Sequence, residues 1–512
     1  MRIILLIFSV LALTFSATAQ QQKPKNIIVF IADGGGYNQM ICTDYYLKGS
    51  YPTSPLAKFP IQLAMSTYNG SLRNYGATCY NSRAFWTNFS YGMAGFTESA
   101  ASGTALATGI KTDNDVIGLD MQGQPVSNLV EVAKAKGKRA GIVTTVPFSH
   151  ATPAAFCSHT PTRRNMTIIA RQMIFSNQLD VIAGVGNPWF DNAGNRIAKG
   201  VFKNIDSITF QYLLFNRRSP WFFTESRDEV QKICTGASSP NKLFYLAPVA
   251  MTLSQMRPDT SVIPFDIPIN PALSTLAEMS VAAVNVLDND SSGFFLMIEG
   301  GAIDWANHNN ELPRLIEEYT SFYNAIDSVV AFLAQTEQLD ETLIIVTSDH
   351  ECGYLWGPET DGNKFTTPLN NGKGNMPSAV YYSTNHSNAL IPFFAMGPAS
   401  DIFYSYADET DSVRGAYLTN SEVAQAVKML WGNTASIFEA DPLNNDNPVL
   451  SVALPCQQAK VQWFANGKPI ESANEIQFSI QTTVYSPDTR FSCQITCGTT
   501  QFFTSEYSYQ YE

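Results

Sequence analysis

Three apolar runs in this 512-residue chain each lead into an acidic residue. Lys25 to Ala32 runs into Asp33-Gly34-Gly35-Gly36, Phe294 to Ile298 into Glu299-Gly300-Gly301, and Leu343 to Thr347 into Ser348-Asp349-His350-Glu351. Such runs predict strands buried on both faces, as in a parallel sheet covered by helices. In that architecture the C-terminal strand ends form the ligand crevice, so Asp33, Glu299 and Asp349 are expected to converge although hundreds of residues separate them. The predicted class is α/β, a three-layer α/β/α sandwich with a mainly parallel central sheet. Carboxylates gathered in a crevice need cations.

The intervening chain fits that class. Ser127 to Lys136 reads as a helix capped by Ser127, with a strand near Ala140 to Thr145 after Gly137. Directly past it come His150, Thr152, His159 and the pair Arg163-Arg164. Further strands are expected at Asp180 to Gly186 and around Lys242 to Leu246, and Leu273 to Leu287 has helical spacing. Leu315, Tyr319, Phe322, Ile326, Val329 and Leu333 fall on one face of a long helix. Residues 42 to 96 show no sustained periodicity and read as excursions, and 187 to 270 are little better. The apolar run Ala389 to Met396 follows His386.

Those excursions lead to Glu98-Ser99-Ala100-Ala101-Ser102-Gly103-Thr104, a short helix of small residues that Gly109 is placed to stop. Its first amides lack intrahelical partners, so Ser99 sits where a phosphate would be welcome. Taken alone, such a stretch is ordinary small-residue packing or an N-cap. The histidines change its weight. Of five, His150, His159, His308, His350 and His386, four lie beside a carboxylate, a strand end or both. Asp304 and His308, at i and i+4, project from one helical face, and Asp349-His350 offers adjacent ligands at a bend. Carboxylate with imidazole suits zinc, and two neighbouring metals form a clamp for in-line phosphoryl displacement. A serine coordinated there would ionise near neutral pH and attack phosphorus.

With these motifs in this order and spacing, the chain resembles the alkaline phosphatases over roughly residues 25 to 435. The resemblance rests on Asp33-Gly34-Gly35, Glu98 to Thr104, His150-Ala151-Thr152-Pro153-Ala154-Ala155, Arg163, Glu299 to Asp304 with His308, Ser348-Asp349-His350 and Thr384-Asn385-His386. It implies two zinc ions and one magnesium per chain. Ser99 would become phosphoserine, one zinc would be held by Asp304, His308 and His386, and the other by Asp33, Asp349 and His350. Asp33, Thr152 and Glu299 would hold the magnesium, or another divalent metal, through hard oxygens. Arg163 would clamp two phosphate oxygens as a planar fork, leaving Arg164 a surface cation. The chain departs from the family pattern at Glu98, where Asp is usual. His150 and Trp305 occupy variable positions beside the metal ligands, where His150 bears on the third metal and Trp305 either packs or lines the phosphate pocket.

The resemblance implies hydrolysis of small phosphate monoesters to alcohol and inorganic phosphate. Two rivals stand beside it: a phosphodiesterase or sulfatase relative with the same bimetallic core, and a secreted binding or adhesion protein that keeps metals for structure. Ser99 and Arg163 speak against the first, as does the absence of a Cys/Ser-x-Pro-x-Arg stretch near the nucleophile. A structural zinc site needs neither an open position nor a serine, which speaks against the second. Homodimers are common in the family, and the sequence carries no interface signal for or against one.

Residues 1 to 19, with Arg2, an apolar stretch to Phe15 and Ala17-Thr18-Ala19, read as a signal peptide, so export to the periplasm or beyond is expected, with Gln20 first in the mature chain. No later stretch has the length of a membrane span. A net charge of -12 gives no general attraction to nucleic acid or anionic lipid. Eight cysteines in an exported chain are able to pair, but their spacing defines no framework. Beyond a linker at 441–448, residues 449 to 512 read as a small β module, with Trp463 and Phe491-Ser492-Cys493 loosely like an immunoglobulin sandwich.

Overall fold

The computed structural model describes residues 23–70, 80–362, 364–431, 437–439, 448–452, 460–481, 483–486, 488–497, 500–504 and 507–508. The expected signal peptide and all but the last residue of the expected linker lie outside them. The central sheet has eleven strands: β1 (Asn26–Ile31), β2 (Ile61–Ser66), β3 (Arg139–Pro147), β4 (Val181–Val185), β5 (Phe222–Thr224), β6 (Leu243–Leu246), β7 (Phe294–Glu299), β8 (Thr342–Thr347), β9 (Ile391–Met396), β10 (Glu409–Asp411) and β11 (Gly415–Thr419). They are ordered β10-β11-β2-β9-β8-β1-β7-β3-β4-β6-β5. All neighbouring pairs are parallel except those of β9 with β2 and β8 and of β10 with β11. The sheet is mainly parallel, as its continuous apolar strands require.

The helices that matter here are α1 (Tyr37–Lys48), α2 (Ser99–Thr108), α3 (Leu129–Ala135), α4 (Ala151–Ala155), α5 (Met166–Phe175), α6 (Leu276–Leu287), α7 (Ala302–His308), α8 (Leu312–Gln335) and α9 (Asn420–Trp431). Successive residues of a strand face opposite sides, and β1 divides accordingly. Ile27, Val29 and Ile31 join an apolar cluster with side chains of α2, α3, α5 and α9, whereas Ile28 and Phe30 join another with α1, α6 and α8. Each such side chain removed from water is worth about 1.5–3 kcal/mol, so the two faces fix the three layers.

Three local expectations are corrected. The helix placed at Ser127 starts at Leu129, because Asn128 caps it and Glu131 returns the bond to the Asn128 amide. The excursion from 42 to 96 contains the end of α1 and all of β2, whose pairing with β9 and β11 makes it an internal strand. The cysteines expected to be capable of pairing include five free thiols, Cys42, Cys157, Cys234, Cys352 and Cys493. Four of them are buried, and burial pushes all five thiols up from their ordinary value.

After α9 the chain forms two small sheets, one from Ile437–Glu439, Val449–Val452 and Gln477–Ser479, the other built on Lys460–Ala465 paired with Arg490–Cys497. They carry an apolar cluster of their own around Trp463, which lies opposite Cys493.

Candidate active site

β1 lies between β7 and β8, with Ile31 opposite both Glu299 and Thr347. Three adjacent strands therefore end at one level, which is why Asp33, Glu299 and Asp349 meet, all fully buried. The turn after β1 is drawn onto its neighbours: the Gly34 amide donates to Asp349 Oδ1 at 3.1 Å and the Gly35 amide to Ser348 Oγ at 3.0 Å. Gly34 has φ of 75°, and a Cβ there would stand 2.6 Å from Asp304 Cα. Only glycine allows α7 to come this close to the strand end.

Asp304 and His308 do share a face of α7, with His308 Nε2 3.3 Å from Asp304 Oδ2. His386 reaches the other oxygen, Nε2 to Oδ1, at 3.5 Å. Both rings are oriented by backbone carbonyls, His308 Nδ1 on Thr384 at 2.6 Å and His386 Nδ1 on Thr97 at 3.0 Å. A carbonyl only accepts, so both Nδ1 atoms carry protons and both Nε2 atoms face inward, 3.0 Å apart. Two imidazole lone pairs head to head must share a proton or a cation, and this is how second-sphere carbonyls prepare histidines for a metal. Burial pushes Asp304 up but is outweighed by the two histidines, which hold it well below the carboxylate range. Burial opposes protonation of His308, yet Asp304 and the Thr384 carbonyl raise it to about 9.

Cys352 joins this group: its Sγ and one ligand atom each of Asp304, His308 and His386 lie within 4.8 Å of one another. The sequence reading passed over it. The signal available was its position three residues after Asp349, but only the pairing of Cys352 with His386 brings the thiol here.

Asp33, Asp349 and His350 form the second group, also with ligand atoms within 4.8 Å. His350 Nε2 lies 3.1 Å from Asp349 Oδ2 and 3.7 Å from Asp33 Oδ1. Both Asp33 oxygens and Asp349 Oδ2 are buried without a hydrogen-bond donor. Burial and the neighbouring carboxylates push Asp33 well above its ordinary value and Asp349 to about 6. Burial, then the charge of His386, keeps His350 neutral. The two groups touch, since the His350 and His386 rings stack at 3.6 Å.

Thr152, on α4, and Glu299 make the third expected set with Asp33. Thr152 Oγ1 and Glu299 Oε1 are buried without a partner, while Glu299 Oε2 accepts from Thr144. Burial, opposed by Thr144 and reinforced by Asp349, raises Glu299 to about 7. Polar atoms this deep are almost always satisfied, so orphaned oxygens gathered from several strand ends fit the coordination of divalent cations.

Ser99 is the first residue of α2, 2% exposed, with Oγ 3.3 Å from His350 Nε2. Gly109, with φ of 77°, ends the helix as expected. Ser102 Oγ donates to the Asp349 carbonyl at 2.6 Å, tying α2 to the second group. Glu98 caps α2, accepting from the amides of Ala100 and Ala101 at 3.0 and 2.9 Å and from that of Asp115 at 2.8 Å. The same carboxylate binds Arg163. Burial opposes the charge on Glu98, but Arg163 and the three amides win and lower its pKa. The longer side chain in place of the usual aspartate thus spans both cap and arginine.

Arg163 Nη2 also donates to His150 Nε2 at 3.1 Å. A guanidinium only donates, so the His150 proton sits on Nδ1, which is buried without a partner. Burial and the Arg163 charge lower His150 to about 3, leaving a neutral ring whose edge meets Trp305, centroids 5.7 Å apart. His150 is thereby joined to the arginine, and Trp305 is half-buried against it. Arg164 points outward, 86% exposed, beside Asp115. His159, the histidine not brought to the site, bridges Glu131 and the Gly118 carbonyl in the core. A cavity of about 570 Å³ opens over Arg163 and His386, walled by Phe96, Met166, Asn114 and Asn385.

Residues 24–391 match the family model described as alkaline phosphatase. Alkaline phosphatase 4 of Bacillus subtilis is 30% identical over 279 residues, 53% of this chain and 53% of its own, so the chain spans about half the length of that relative. The alkaline phosphatase of Escherichia coli is 25% identical over 418 residues, 76% of this chain and 84% of that protein. In fold, the chain is similar to a mutant alkaline phosphatase of the Antarctic bacterium TAB5, solved with Mg bound in the M3 site, with 24% identity, coverage of 80% of this chain and 99% of that one, and a TM-score of 0.57. With the model matching from β1 to the first residue of β9, well over half of the chain, the chain belongs to the alkaline phosphatase family.

Proposed function

We propose that the protein is an exported, metal-dependent phosphatase that hydrolyses small phosphate monoesters through a phosphoserine at Ser99. The observation that carries the reading is the placement of Ser99: at the first turn of α2, 3.3 Å from His350, whose Nε2 faces the orphaned oxygens of Asp33 and Asp349, and directly after Glu98, which holds Arg163. Asp304, His308 and His386 would hold one zinc, Asp33, Asp349 and His350 the other, and Asp33, Thr152 and Glu299 a magnesium. When bound, these ions supply positive charge to the phosphoryl oxygens and lower the pKa of coordinated hydroxyls.

The chain's own residues do the rest. The Ser99 hydroxyl gives up its proton and Oγ forms a bond to phosphorus as the ester P–O bond breaks, and the departing alkoxide takes up a proton to leave as the alcohol. Attack of water on phosphoserine then releases inorganic phosphate and restores the hydroxyl. Two in-line displacements give overall retention at phosphorus. Arg163 grips two equatorial oxygens, and Glu98 and His150 keep its fork aimed. Phe96 and Met166 share the wall of the cavity with Asn114, Asp115 and Asn385, and its volume suits small monoesters. Export rests on the sequence of residues 1–19; no helix among the described residues is long and apolar enough to cross a membrane. Residues 449–512 are read as a separate small β module.

The test is turnover of a chromogenic phosphate monoester against the matching diester and sulfate, on protein of known metal content. Monoester turnover lost on chelation, restored by zinc and reduced by orders of magnitude in Ser99→Ala is the expected result. Faster diester or sulfate turnover, or full activity in Ser99→Ala, would overturn it.

A further inference from the structure

The phosphatase reading gives Cys352 no task, yet the fold puts its thiol in the first donor group. Cys352 is fully buried and free. Its position is set by a two-residue antiparallel ladder in which Cys352 lies opposite His386 and Glu351 opposite Ser387. That ladder is pinned from both sides, because the Glu351 carboxylate accepts from Gln39 Nε2 at 2.6 Å, from the Leu355 amide at 3.2 Å and from Ser387 Oγ. The thiol is therefore presented to His308 and Asp304 by backbone pairing rather than by a mobile loop.

A second observation points the same way. Asp304 Oδ1, in a residue 5% exposed, has no hydrogen-bond donor, and His308 and His386 direct their Nε2 atoms at each other. One carboxylate, two imidazoles and one thiol thus surround a single point, all four ligand atoms within 4.8 Å of one another. Metal bonds of about 2.0–2.3 Å space neighbouring donors roughly 3.3–3.8 Å apart, against 3.0 Å between the two Nε2 atoms and 3.3 and 3.5 Å from them to Asp304, so small shifts bring this group onto one ion, and the position a substrate needs would come from expansion to five donors. The donor types also choose the ion: two nitrogens and a sulfur suit zinc or cobalt, whereas magnesium takes oxygens alone.

We propose that Cys352 is a fourth protein donor in the Asp304, His308 and His386 pocket, binding as thiolate and reserving that pocket for a borderline-soft divalent ion. The inference rests on the metal-binding reading of the site above. On loading, the Cys352 S–H bond breaks, a sulfur–metal bond forms and the proton passes to bulk water. The thiolate is a soft sulfur donor that the Asp33, Asp349 and His350 pocket lacks, so the two pockets should differ in preference between soft and hard ions.

The full chain, stripped of metal and titrated with Co²⁺, reads this without reference to turnover. A near-ultraviolet thiolate-to-cobalt charge-transfer band should rise in step with the visible cobalt bands. It should vanish in Cys352→Ser and Cys352→Ala while the visible bands and the far-ultraviolet circular dichroism persist. Zinc should bind the first pocket on the order of 10–100-fold more weakly in both variants. X-ray absorption of the zinc-loaded wild type needs no variant and should find one sulfur shared among the bound zinc at about 2.3 Å. Visible cobalt bands with no charge-transfer band, or a band that survives in Cys352→Ser, would overturn the assignment while leaving the metal site standing. The same holds for absorption spectra without sulfur. A chain that takes up neither cobalt nor zinc would overturn both.

Discussion

Replacing Glu98 by glutamine separates what the carboxylate does from the space it fills. Oε1 accepts from the Ala101 and Asp115 amides, and Oε2 from the Ala100 amide while pairing with Arg163. Every neighbour donates, so Glu98→Gln must turn an NH₂ toward a donor whichever way it faces. Losing the cap is worth about 1 kcal/mol, and an unsatisfied buried donor about 1–3 kcal/mol. Removing one partner of a buried ion pair costs roughly 3–5 kcal/mol; the Arg163 and Glu98 side chains are 22% and 17% exposed, which puts this pair at or below the low end. These overlap rather than add, giving roughly 2–4 kcal/mol. At about 2.1 cal/mol/K per residue over some 410 residues, the unfolding entropy is near 0.9 kcal/mol/K, so Tm should fall by roughly 2–5 °C. A guanidinium left with His150 alone is also misaimed, and a displacement near 1 Å can cost about 100-fold. Glu98→Gln should therefore lower kcat/KM for a monoester by about 10–100-fold. The wild-type contribution has a definite pH sense. The folded carboxyl is held below its ordinary 4.5, so its stabilisation is complete above that value and disappears as pH falls through the folded value. Thermal unfolding from pH 3 to 8 with steady-state kinetics on both proteins is the assay. A Tm within about 0.5 °C and kcat/KM within twofold of wild type would refute both roles, and lost stability with intact kcat/KM would refute the one assigned through Arg163.

Two further predictions use other parts of the fold. His159 is pushed down by burial but raised more strongly by Glu131 and the Gly118 carbonyl, so its stabilisation is full below its ordinary 6.5 and fades as pH rises through the folded value. Glu131→Gln, which keeps a capping-box side chain, should flatten that decline in a Tm-against-pH series; an unchanged slope would count against the pair. Gly34→Ala combines a φ of 75° with a Cβ 2.6 Å from Asp304 Cα. It should cost at least 1–2 kcal/mol for the left-handed backbone alone and weaken metal retention by moving α7, as metal analysis after dialysis would reveal.

What could be read from the sequence follows from what decides each feature. Asp33, Glu299 and Asp349 were legible because short continuous apolar runs name strands buried on both faces, and the ends of such strands have a known use. Asp304 and His308 were legible because helical periodicity alone puts them together. β2 was hidden: Gln62 interrupts a six-residue run, and its internal place comes from partners more than 300 residues away. Asn128 and Ser127 are both good caps, and the choice turned on Glu131 three residues after Asn128, a local signal that was available. Glu98 needed the structure, since only side-chain length decides whether one carboxylate reaches both a helix end and Arg163. Cys352 needed it more, because a pairing two residues long leaves no periodicity to read.

The nucleophile is the point at which these separate decisions meet. Thr97, two residues before Ser99, holds the His386 ring through its carbonyl, and Ser102, three residues after, holds the Asp349 carbonyl. Asn420, at the start of α9, donates to Ser102 Oγ at 2.8 Å, so the serine turn is braced from behind as well. One donor group is thus fastened to the chain entering α2 and the other to its first turn. Cations that draw the orphaned oxygens of Asp33, Asp304 and Asp349 together would act on Ser99 from both sides. Binding that orders a segment must show as tighter local structure, so metal loading should slow amide exchange at 97–102 more than at β4, which touches neither group. Equal slowing at both would mean that the ions stabilise the whole fold without positioning the serine.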